Sequence, residues 1–209
     1  MKKCIVIYTE GETDEEFYDK VLNCIKNKIP DKIFKVDVLK KSCITGIAKF
    51  QKKLVNKFVK EIVKNYSKDH EIIVFLCYDT DVFEFGTHPP VDRAKLDSDL
   101  RSHGASDVIH IKASKSIEDF FIYDVDGIVN FLKIPKPKNL KGATGLEKLE
   151  KLFLKANRIY QKGHKCAGFI DSLDMNIIFP NICDEIKPLC IELGLDNNYN
   201  ERYDLLKET

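Results

Sequence analysis

Several segments that mark particular protein classes are missing from this chain. No apolar stretch approaches the length of a membrane-spanning helix, which argues against an integral membrane protein. The N-terminus, Met1-Lys2-Lys3, runs directly into a predicted strand and lacks a signal-peptide layout. No G-x-G-x-x-G turn follows that strand, which counts against a dinucleotide site. The chain also lacks a Walker A pattern, so any ATP-driven control has to come from another protein.

The cysteines lack the spacing of a metal site or a disulfide framework. The seven cysteines stand at positions 4, 24, 43, 77, 166, 183 and 190, and no two of them form a C-x-x-C pair. Cys4 and Cys77 lie inside predicted strands, and an odd count leaves at least one cysteine without a partner. We therefore expect reduced, mostly buried thiols in a cytoplasmic protein, rather than a zinc or disulfide framework.

The composition that is present is typical of an ordinary globular protein. Hydrophobic residues make up 44% of the 209 residues and charged residues 32%, which argues against a disordered chain. This length suffices for one hydrophobic core, or for a core domain with a small appendage. The formal net charge is only +1, so the overall charge does not indicate a partner.

Basic residues are nevertheless concentrated in two segments. Segment 20–68 has 14 lysines against three acidic residues, and segment 133–165 has ten basic residues against two acidic ones. The rest of the chain is correspondingly acidic. A basic flank beside acidic motifs suits a polyanionic substrate, because lysines hold phosphates. The alternative is a lysine-rich helix surface that only contacts solvent.

The apolar patterns predict four βα units in a row. Short runs rich in β-branched and aromatic residues predict strands at 3–9, 33–39, 71–78 and 106–112. Helical spacing of apolar residues predicts helices near 13–28, 46–66, 91–103 and 116–132. This alternation predicts a doubly wound α/β domain whose mostly parallel, four-stranded central sheet is flanked by helices.

The remainder of the chain is expected to be helical. We place the α/β domain at 1–132, a linker with Pro135 and Pro137 at 133–143, and a C-terminal helical extension at 144–209 packed on the core. Within this extension, helical patterns cover 144–161 and 181–194.

Acidic residues follow two of the predicted strands. The first strand runs into Glu10, Gly11 and Asp14, and the third ends at Asp79-Thr-Asp81. Parallel strands present their carboxyl ends at one edge of a sheet, so we expect Glu10, Asp14, Asp79 and Asp81 to lie together. Clustered carboxylates repel one another unless a cation lies between them, and a hard divalent cation such as Mg²⁺ is the usual one. The sequence therefore predicts a metal site.

These motifs, in this order and strand context, resemble those of TOPRIM domains. The resemblance rests on Ile-Val-Ile-Tyr-Thr-Glu10-Gly11-x-x-Asp14 and on Asp79-x-Asp81, and it covers roughly residues 1–125. TOPRIM domains occur in topoisomerases, bacterial primases, small ribonucleases and phage-defence nucleases related to the overcoming-lysogenization-defect family. The segment 116–121 is also similar to small bacterial TOPRIM-like proteins of the defence or mobile-element type.

Two departures narrow what the resemblance implies. Phe83 stands where a topoisomerase-like Asp-x-Asp-x-Asp motif has its third acidic residue. The chain also has no DNA-gate or zinc module. Topoisomerase and complete primase activities are therefore not expected, whereas a TOPRIM-like Rossmannoid fold and nuclease chemistry are.

The resemblance implies a role for each acidic residue. Glu10 is implied to lie close to the reacting phosphate, as a metal ligand or an acid/base group. Asp79 and Asp81 are implied to bind Mg²⁺, for which Mn²⁺ can substitute. Asp14 is either a further metal ligand or a carboxylate that favours the start of a helix. Glu118 is open between the same two roles, the first of which completes a second metal site.

Basic and loop residues complete the predicted site. Lys112 or Lys115 is the candidate cation that meets the transition-state charge, and the alternative is an ordinary surface lysine. His88 is a candidate for substrate contact or proton transfer, unless it is an ordinary loop histidine. The residues predicted to bind substrate are Gly11, His88, Lys49 and Lys53.

Three functions compete at this stage. The first is a Mg²⁺-dependent nuclease acting on DNA or RNA, as a phage-defence or toxin-like effector. The second is a non-catalytic module that binds nucleic acid or a partner protein such as an ATPase. The third is another kind of nucleotide-binding α/β protein. The acidic set favours the nuclease, because a pure binding module has no need to keep repulsive carboxylates together.

Overall fold

The architecture comes from a computed structural model. It describes residues 1–28, 36–45, 50–80, 91–113 and 116–195, and the structural statements below concern these residues. Four residues of the predicted site lie outside the described residues, namely Lys49, Asp81, His88 and Lys115.

Four parallel strands form one sheet. They are β1 (Lys2–Thr9), β2 (Val38–Cys43), β3 (His70–Asp79) and β4 (Asp107–Ala113), in the spatial order β2-β1-β3-β4. All three strand pairings are parallel, which confirms the predicted α/β class. The central strands β1 and β3 are buried from residue 4 to 9 and from 72 to 79, as expected of apolar runs with both faces covered.

The predicted end of β2 was wrong. The described strand begins at Val38 and ends at Cys43, beyond the predicted end at residue 39, and residues 33–35 of the prediction lie outside the described residues. It lies at an edge of the sheet, and Lys40 and Lys41 within it are exposed. An edge strand needs no continuous apolar run, so its hydrophobic pattern does not identify its ends.

Helices cover both faces of the sheet. The first five are α1 (Glu12–Lys28), α2 (Phe50–Lys57, continued by a π-helical stretch over Phe58–Val63 and by Lys64–Tyr66), α3 (Arg93–Ser102), α4 (Ile117–Phe121, continued by a 3₁₀ turn over Ile122–Asp124) and α5 (Val125–Leu132). Leu54 and Phe58 of α2 and Leu96 of α3 pack in one buried cluster with alternate residues of β1 and β3. The other residues of the same strands, such as Ile5 and Phe75, pack against α1 on the opposite face.

The C-terminal region is helical and shares the core of the α1 face. Its helices are α6 (Gly145–Lys155), α7 (Phe169–Ser172), α8 (Met175–Ile182) and α9 (Lys187–Cys190, continued by Ile191–Leu195). The ring of Phe169 contacts those of Phe121 and Phe153, with centroids 5.6 and 5.5 Å away. Both the α/β part and the C-terminal helices therefore contribute to one hydrophobic cluster.

One local expectation for this half of the chain was wrong. Ile177, expected between two helices, lies inside α8. Asp124 is buried, and its carboxylate accepts hydrogen bonds from the backbone N–H groups of Gly127 and Asp174, at 2.9 and 2.6 Å. These bonds explain the burial of the carboxylate, because they begin α5 and hold the start of α8 against it. None of the helices in the described ranges is long and apolar enough to cross a membrane.

Candidate functional site

The candidate site lies at the carboxyl edge of the sheet, where β1 leads into α1. The parallel register pairs Thr9 with Cys77, so the residues that follow β1 lie beside the end of β3. Asp14 is in the first turn of α1, and its Oδ2 accepts a hydrogen bond from the N–H of Gly11 at 2.9 Å. Burial, and next the carboxylate of Asp79, raises the pKa of Asp14 well above its usual value. Asp14 thus stabilises the turn and also belongs to the carboxylate cluster.

Asp79, the last residue of β3, is the centre of this cluster. Only 4% of the residue is exposed, and two contacts hold its side chain. Oδ1 accepts the backbone N–H of Ile117 at 2.8 Å, and Oδ2 lies 2.6 Å from Nζ of Lys162. Burial raises the pKa of Asp79 to about 6, against the opposing effect of Lys162. Asp79 is therefore an ion-paired carboxyl whose ionisation is still costly.

Glu118 joins the cluster from α4 and is completely buried. The helix is positioned by Asp119, whose carboxylate accepts the N–H groups of Ser116 at 3.2 Å and of Gly145 at 2.7 Å. Oε1 of Glu118 accepts a hydrogen bond from the hydroxyl of Tyr160 at 2.9 Å. Oε2 is buried and has no hydrogen-bond partner among the residues that the structure describes. A buried carboxylate oxygen without a partner is costly, and a ligand bound at this point would reduce that cost.

Glu10 completes the cluster as the residue directly after β1. It is half-buried, and its charge, like that of Glu118, contributes to the raised pKa of Asp14. The structure therefore brings together four of the five predicted metal ligands, Glu10, Asp14, Asp79 and Glu118. The fifth, Asp81, lies outside the described residues.

The segment 160–165 crosses over this edge, and sequence reasoning missed it. The N–H of Glu12 donates to the carbonyl of Gly163 at 3.0 Å, and Oγ1 of Thr13 donates to the carbonyl of His164 at 2.6 Å. Lys165 forms an ion pair with Glu16 of α1. Tyr160 and Lys162, the partners of Glu118 and Asp79, are held over the site in this way. The basic charge of 133–165 was the only signal in the sequence that pointed to this segment.

Gly11, a predicted substrate contact, lies where the segment 160–165 crosses the start of α1. A Cβ at Gly11 would lie 2.7 Å from Cα of Gly163, which is closer than a side chain can approach backbone. The structure thus gives a packing reason for glycine at this position.

Two of the predicted basic residues, Lys112 and Lys53, lie within the described ranges. Lys112 is exposed near the end of β4, and Lys53 is exposed on α2, where its Nζ donates to the carbonyl of Thr45. Among the described residues, Lys162 from the C-terminal region forms an ion pair with the cluster. The roles expected of Lys112 and Lys53 stay predictions.

The donor chemistry of the cluster suits a hard cation. Its ligating atoms are carboxylate oxygens, the ligands that Mg²⁺ prefers, and Oε2 of Glu118 is available among them. Within the described ranges, however, no group of three or more His, Cys, Asp or Glu side chains is placed so that it could hold a metal ion. The residues therefore fit Mg²⁺ in the type of donor atom, whereas the arrangement of the described side chains does not form a metal site.

Comparisons of the chain with protein-family models, curated proteins and solved structures found no match. The function is therefore argued from the residues of the site.

Proposed function

We propose that this chain is a Mg²⁺-dependent nuclease of the TOPRIM type, which hydrolyses phosphodiester bonds of nucleic acid. One observation carries the proposal: buried carboxylates from β3, α1 and α4 meet beside the ammonium of Lys162 at the carboxyl edge of a parallel sheet. Keeping such carboxylates together is costly, and active sites are where proteins accept that cost.

Each residue of the site has a distinct contribution to this chemistry. When bound, Mg²⁺ would polarise a phosphate oxygen and lower the pKa of an attacking water. Asp79 and Glu118 would hold the metal, because their carboxylates are fixed by Ile117 and Tyr160. Glu10 would be a further ligand or an acid/base group. The ammonium of Lys162 lies where it can meet the negative charge that develops on the phosphate.

Binding of the substrate backbone is proposed for α2. Lys52, Lys53, Lys57, Lys60 and Lys64 lie along this helix and its continuation. Lysines contact phosphates without reading bases, so this surface predicts affinity without sequence preference. The fold does not distinguish DNA from RNA, and both belong in the first assay.

A non-catalytic module that binds nucleic acid or a partner ATPase is the second candidate. The ion pair between Lys162 and Asp79 favours it, because a lysine already neutralises part of the charge that would otherwise call for a metal. In either case we propose a cytoplasmic setting, since the seven cysteines are thiols, as in reducing compartments.

Cleavage assays test the proposal directly. Plasmid DNA, single-stranded DNA and structured RNA are incubated with Mg²⁺, Mn²⁺ or a chelator. We compare the wild type with Asp79→Asn and with the matched control Asp126→Asn, an exposed carboxylate that pairs with Lys136. We expect metal-dependent cutting that Asp79→Asn abolishes and Asp126→Asn leaves unchanged.

The opposite outcome is equally clear. If folded wild-type protein cuts none of the substrates with either metal, the binding module becomes the better proposal. Mn²⁺ binding followed by electron paramagnetic resonance separates the two parts of the idea. If the wild type binds Mn²⁺, Asp79→Asn weakens this binding, and no substrate is cut, then the metal site is supported and the proposed hydrolysis is rejected.

A further inference from the structure

A cavity beside α6 takes no part in the proposed nuclease chemistry. Its volume is about 270 Å³, and it lies between the segment 137–141 and α6. Leu140, Leu152 and Leu154 supply apolar walls. Leu154 is 62% exposed, although a leucine at the surface of a helix gains nothing by facing water. The cavity thus has apolar walls, and its rim carries the exposed side chain of Leu154.

All the charged side chains that line this cavity are lysines. They are Lys141, Lys148, Lys151 and Lys155. The last three recur at helical spacing along one side of α6. None of the four forms an ion pair with another residue in the described ranges, and the nearby Glu147 is engaged instead with the backbone N–H of Ala143 at 2.9 Å. These four lysines therefore form a positive rim, and none of them is neutralised by an acidic side chain of the described residues.

We propose that this lysine-rimmed cavity binds an acidic segment of a partner protein, which places one apolar side chain in the cavity. A volume of about 270 Å³ accommodates a single side chain better than a whole small-molecule ligand. The lysines would pair with aspartate and glutamate on either side of that anchor. This proposal is independent of the proposed nuclease, because it concerns a different surface and a different ligand.

Nucleic acid fits the same surface less well. Its phosphates would satisfy the lysines, but its bases bind by stacking on aromatic side chains. The described lining of the cavity contains no aromatic residue, and its apolar walls are leucine and proline. An aliphatic or aromatic anchor from a peptide would cover these walls, whereas a sugar-phosphate backbone would leave them exposed to water.

Fluorescence anisotropy with defined peptides tests the inference. The probe is a short fluorescein-labelled peptide in which one leucine stands between runs of aspartate and glutamate, and its matched control has serine in place of the leucine. We expect the leucine peptide to bind the full chain about fivefold or more tightly than the serine peptide, because the leucine side chain loses its contact with water. Equal affinity for the two peptides would reduce the cavity to a positive patch and overturn the proposal.

Variants of the protein locate the binding. Lys148→Glu with Lys151→Glu should weaken binding of the leucine peptide about tenfold or more, since two attractive pairs become repulsive. The control, Lys26→Glu with Lys95→Glu, makes the same change of charge on exposed positions of α1 and α3 and should change affinity less than about twofold. Leu154→Ser removes an exposed rim residue and should weaken binding without unfolding the chain.

Two results would overturn the assignment of the surface. Equal losses in the two double variants would mean that net charge alone drives binding. Single-stranded DNA that binds to the cavity lysines and that the leucine peptide fails to displace would assign the surface to nucleic acid. Neither result depends on whether the chain cuts nucleic acid, so failure of this inference and failure of the nuclease proposal are distinguishable.

Discussion

The carboxyl edge of the sheet and the segment 160–165 contribute opposite chemistry to the same site. The edge supplies acceptors, the carboxylates of Asp14, Asp79 and Glu118, and burial and neighbouring charges raise the pKa of Asp14 and Asp79. The segment supplies donors, the hydroxyl of Tyr160 to Glu118 and the ammonium of Lys162 to Asp79. The site is therefore stabilised by a part of the chain that belongs to neither of the strands carrying the acidic motifs.

The difference between the two regions lies in how each is held in place. The edge is fixed by the register of buried parallel strands, which changes only if the whole sheet does. The segment is held by the carbonyls of Gly163 and His164 and by the surface pair of Lys165 with Glu16. We expect substitutions that separate the regions to act mainly on the ionised form of the carboxylates. The predictions below test this from the largest expected effect to the smallest.

The largest effect should be a pH dependence that Asp79 imposes on stability. Its pKa in the folded protein is raised to about 6 from the ordinary 3.8, so the folded state binds the proton more tightly than the unfolded chain. The resulting stabilisation is complete below the ordinary pKa and is lost as pH rises through about 6. We expect the free energy of unfolding to fall by about 3 kcal/mol over this range, measured by urea denaturation.

Two comparisons check that Asp79 is the group responsible. Asp79→Asn should make the fall of stability with pH smaller and leave the part due to Asp14, whose pKa is also raised, and Asp126→Asn should leave the shape of the profile unchanged. Because Mg²⁺ favours the ionised carboxylate, added Mg²⁺ should raise stability at pH 7 more in the wild type than in Asp79→Asn. A wild-type profile that is flat between pH 4 and pH 7 would contradict the raised pKa.

Lys162→Met should remove the cation that the segment brings to the edge. The substitution leaves the buried carboxylate of Asp79 without its ion pair, so we expect a loss of about 2–3 kcal/mol at pH 8. At pH 5 the loss should be smaller, because Asp79 is then mostly protonated. Lys165→Met is the control from the same segment, and it should change stability much less, because the pair of Lys165 with Glu16 is exposed and screened by solvent.

A double-mutant cycle sharpens this result. Asp79→Asn should cost stability in the wild type, because it breaks the ion pair with Lys162. In the Lys162→Met background it should cost little or nothing, because the carboxylate of Asp79 has already lost this ion pair and the substitution removes its charge. Additive losses from the two substitutions would mean that Lys162 and Asp79 do not interact in solution.

Gly11→Ala should disturb the contact between the start of α1 and the segment 160–165. The added Cβ would lie 2.7 Å from Cα of Gly163, and backbone must move to accept it. We expect a loss of about 2 kcal/mol, typical of overpacking. Gly163→Ala is the instructive control, because its φ of +76° is unfavourable for alanine although nothing lies within 4 Å of the added Cβ. Its loss should be only about 1 kcal/mol, and equal losses would contradict a steric role for Gly11.

The two regions also differ in how well the sequence predicts them. The carboxylates at the edge follow strands β1 and β3, whose continuous apolar runs identify them and whose parallel pairing brings their ends together. The same method missed residues 40–43 of β2, because Lys40 and Lys41 belong to an exposed edge. Glu118 was left open between two roles; the structure shows it completely buried beside Asp79, and its role stays a prediction.

The donors on the segment 160–165 could not be predicted in the same way. The bond between Thr13 and His164 joins residues that are 151 positions apart. The segment has neither helix nor strand periodicity that would fix its direction, and its path depends on how α6 and α7 pack. A lysine in such a segment resembles any surface lysine, so Lys112 and Lys115 were the more natural candidates beside Glu118.

The smallest expected effect comes from Tyr160→Phe, which removes one hydroxyl and keeps the ring. The hydroxyl donates to Oε1 of Glu118, and Oε2 of that residue already has no hydrogen-bond partner among the described residues. The ring contacts of Tyr160 with Phe153 and Phe169 should survive. We expect a loss of about 1 kcal/mol in urea denaturation, the usual net contribution of one hydrogen bond.

Glu118→Gln tests whether this loss arises at the carboxylate. A glutamine oxygen still accepts the bond from Tyr160 but carries no charge. If Tyr160 matters because it stabilises a charged Glu118, then Tyr160→Phe should cost less in the Glu118→Gln background than in the wild type. An equal loss in both backgrounds would mean that the hydroxyl only fills a polar contact, and the segment 160–165 would then act on the site through Lys162 alone.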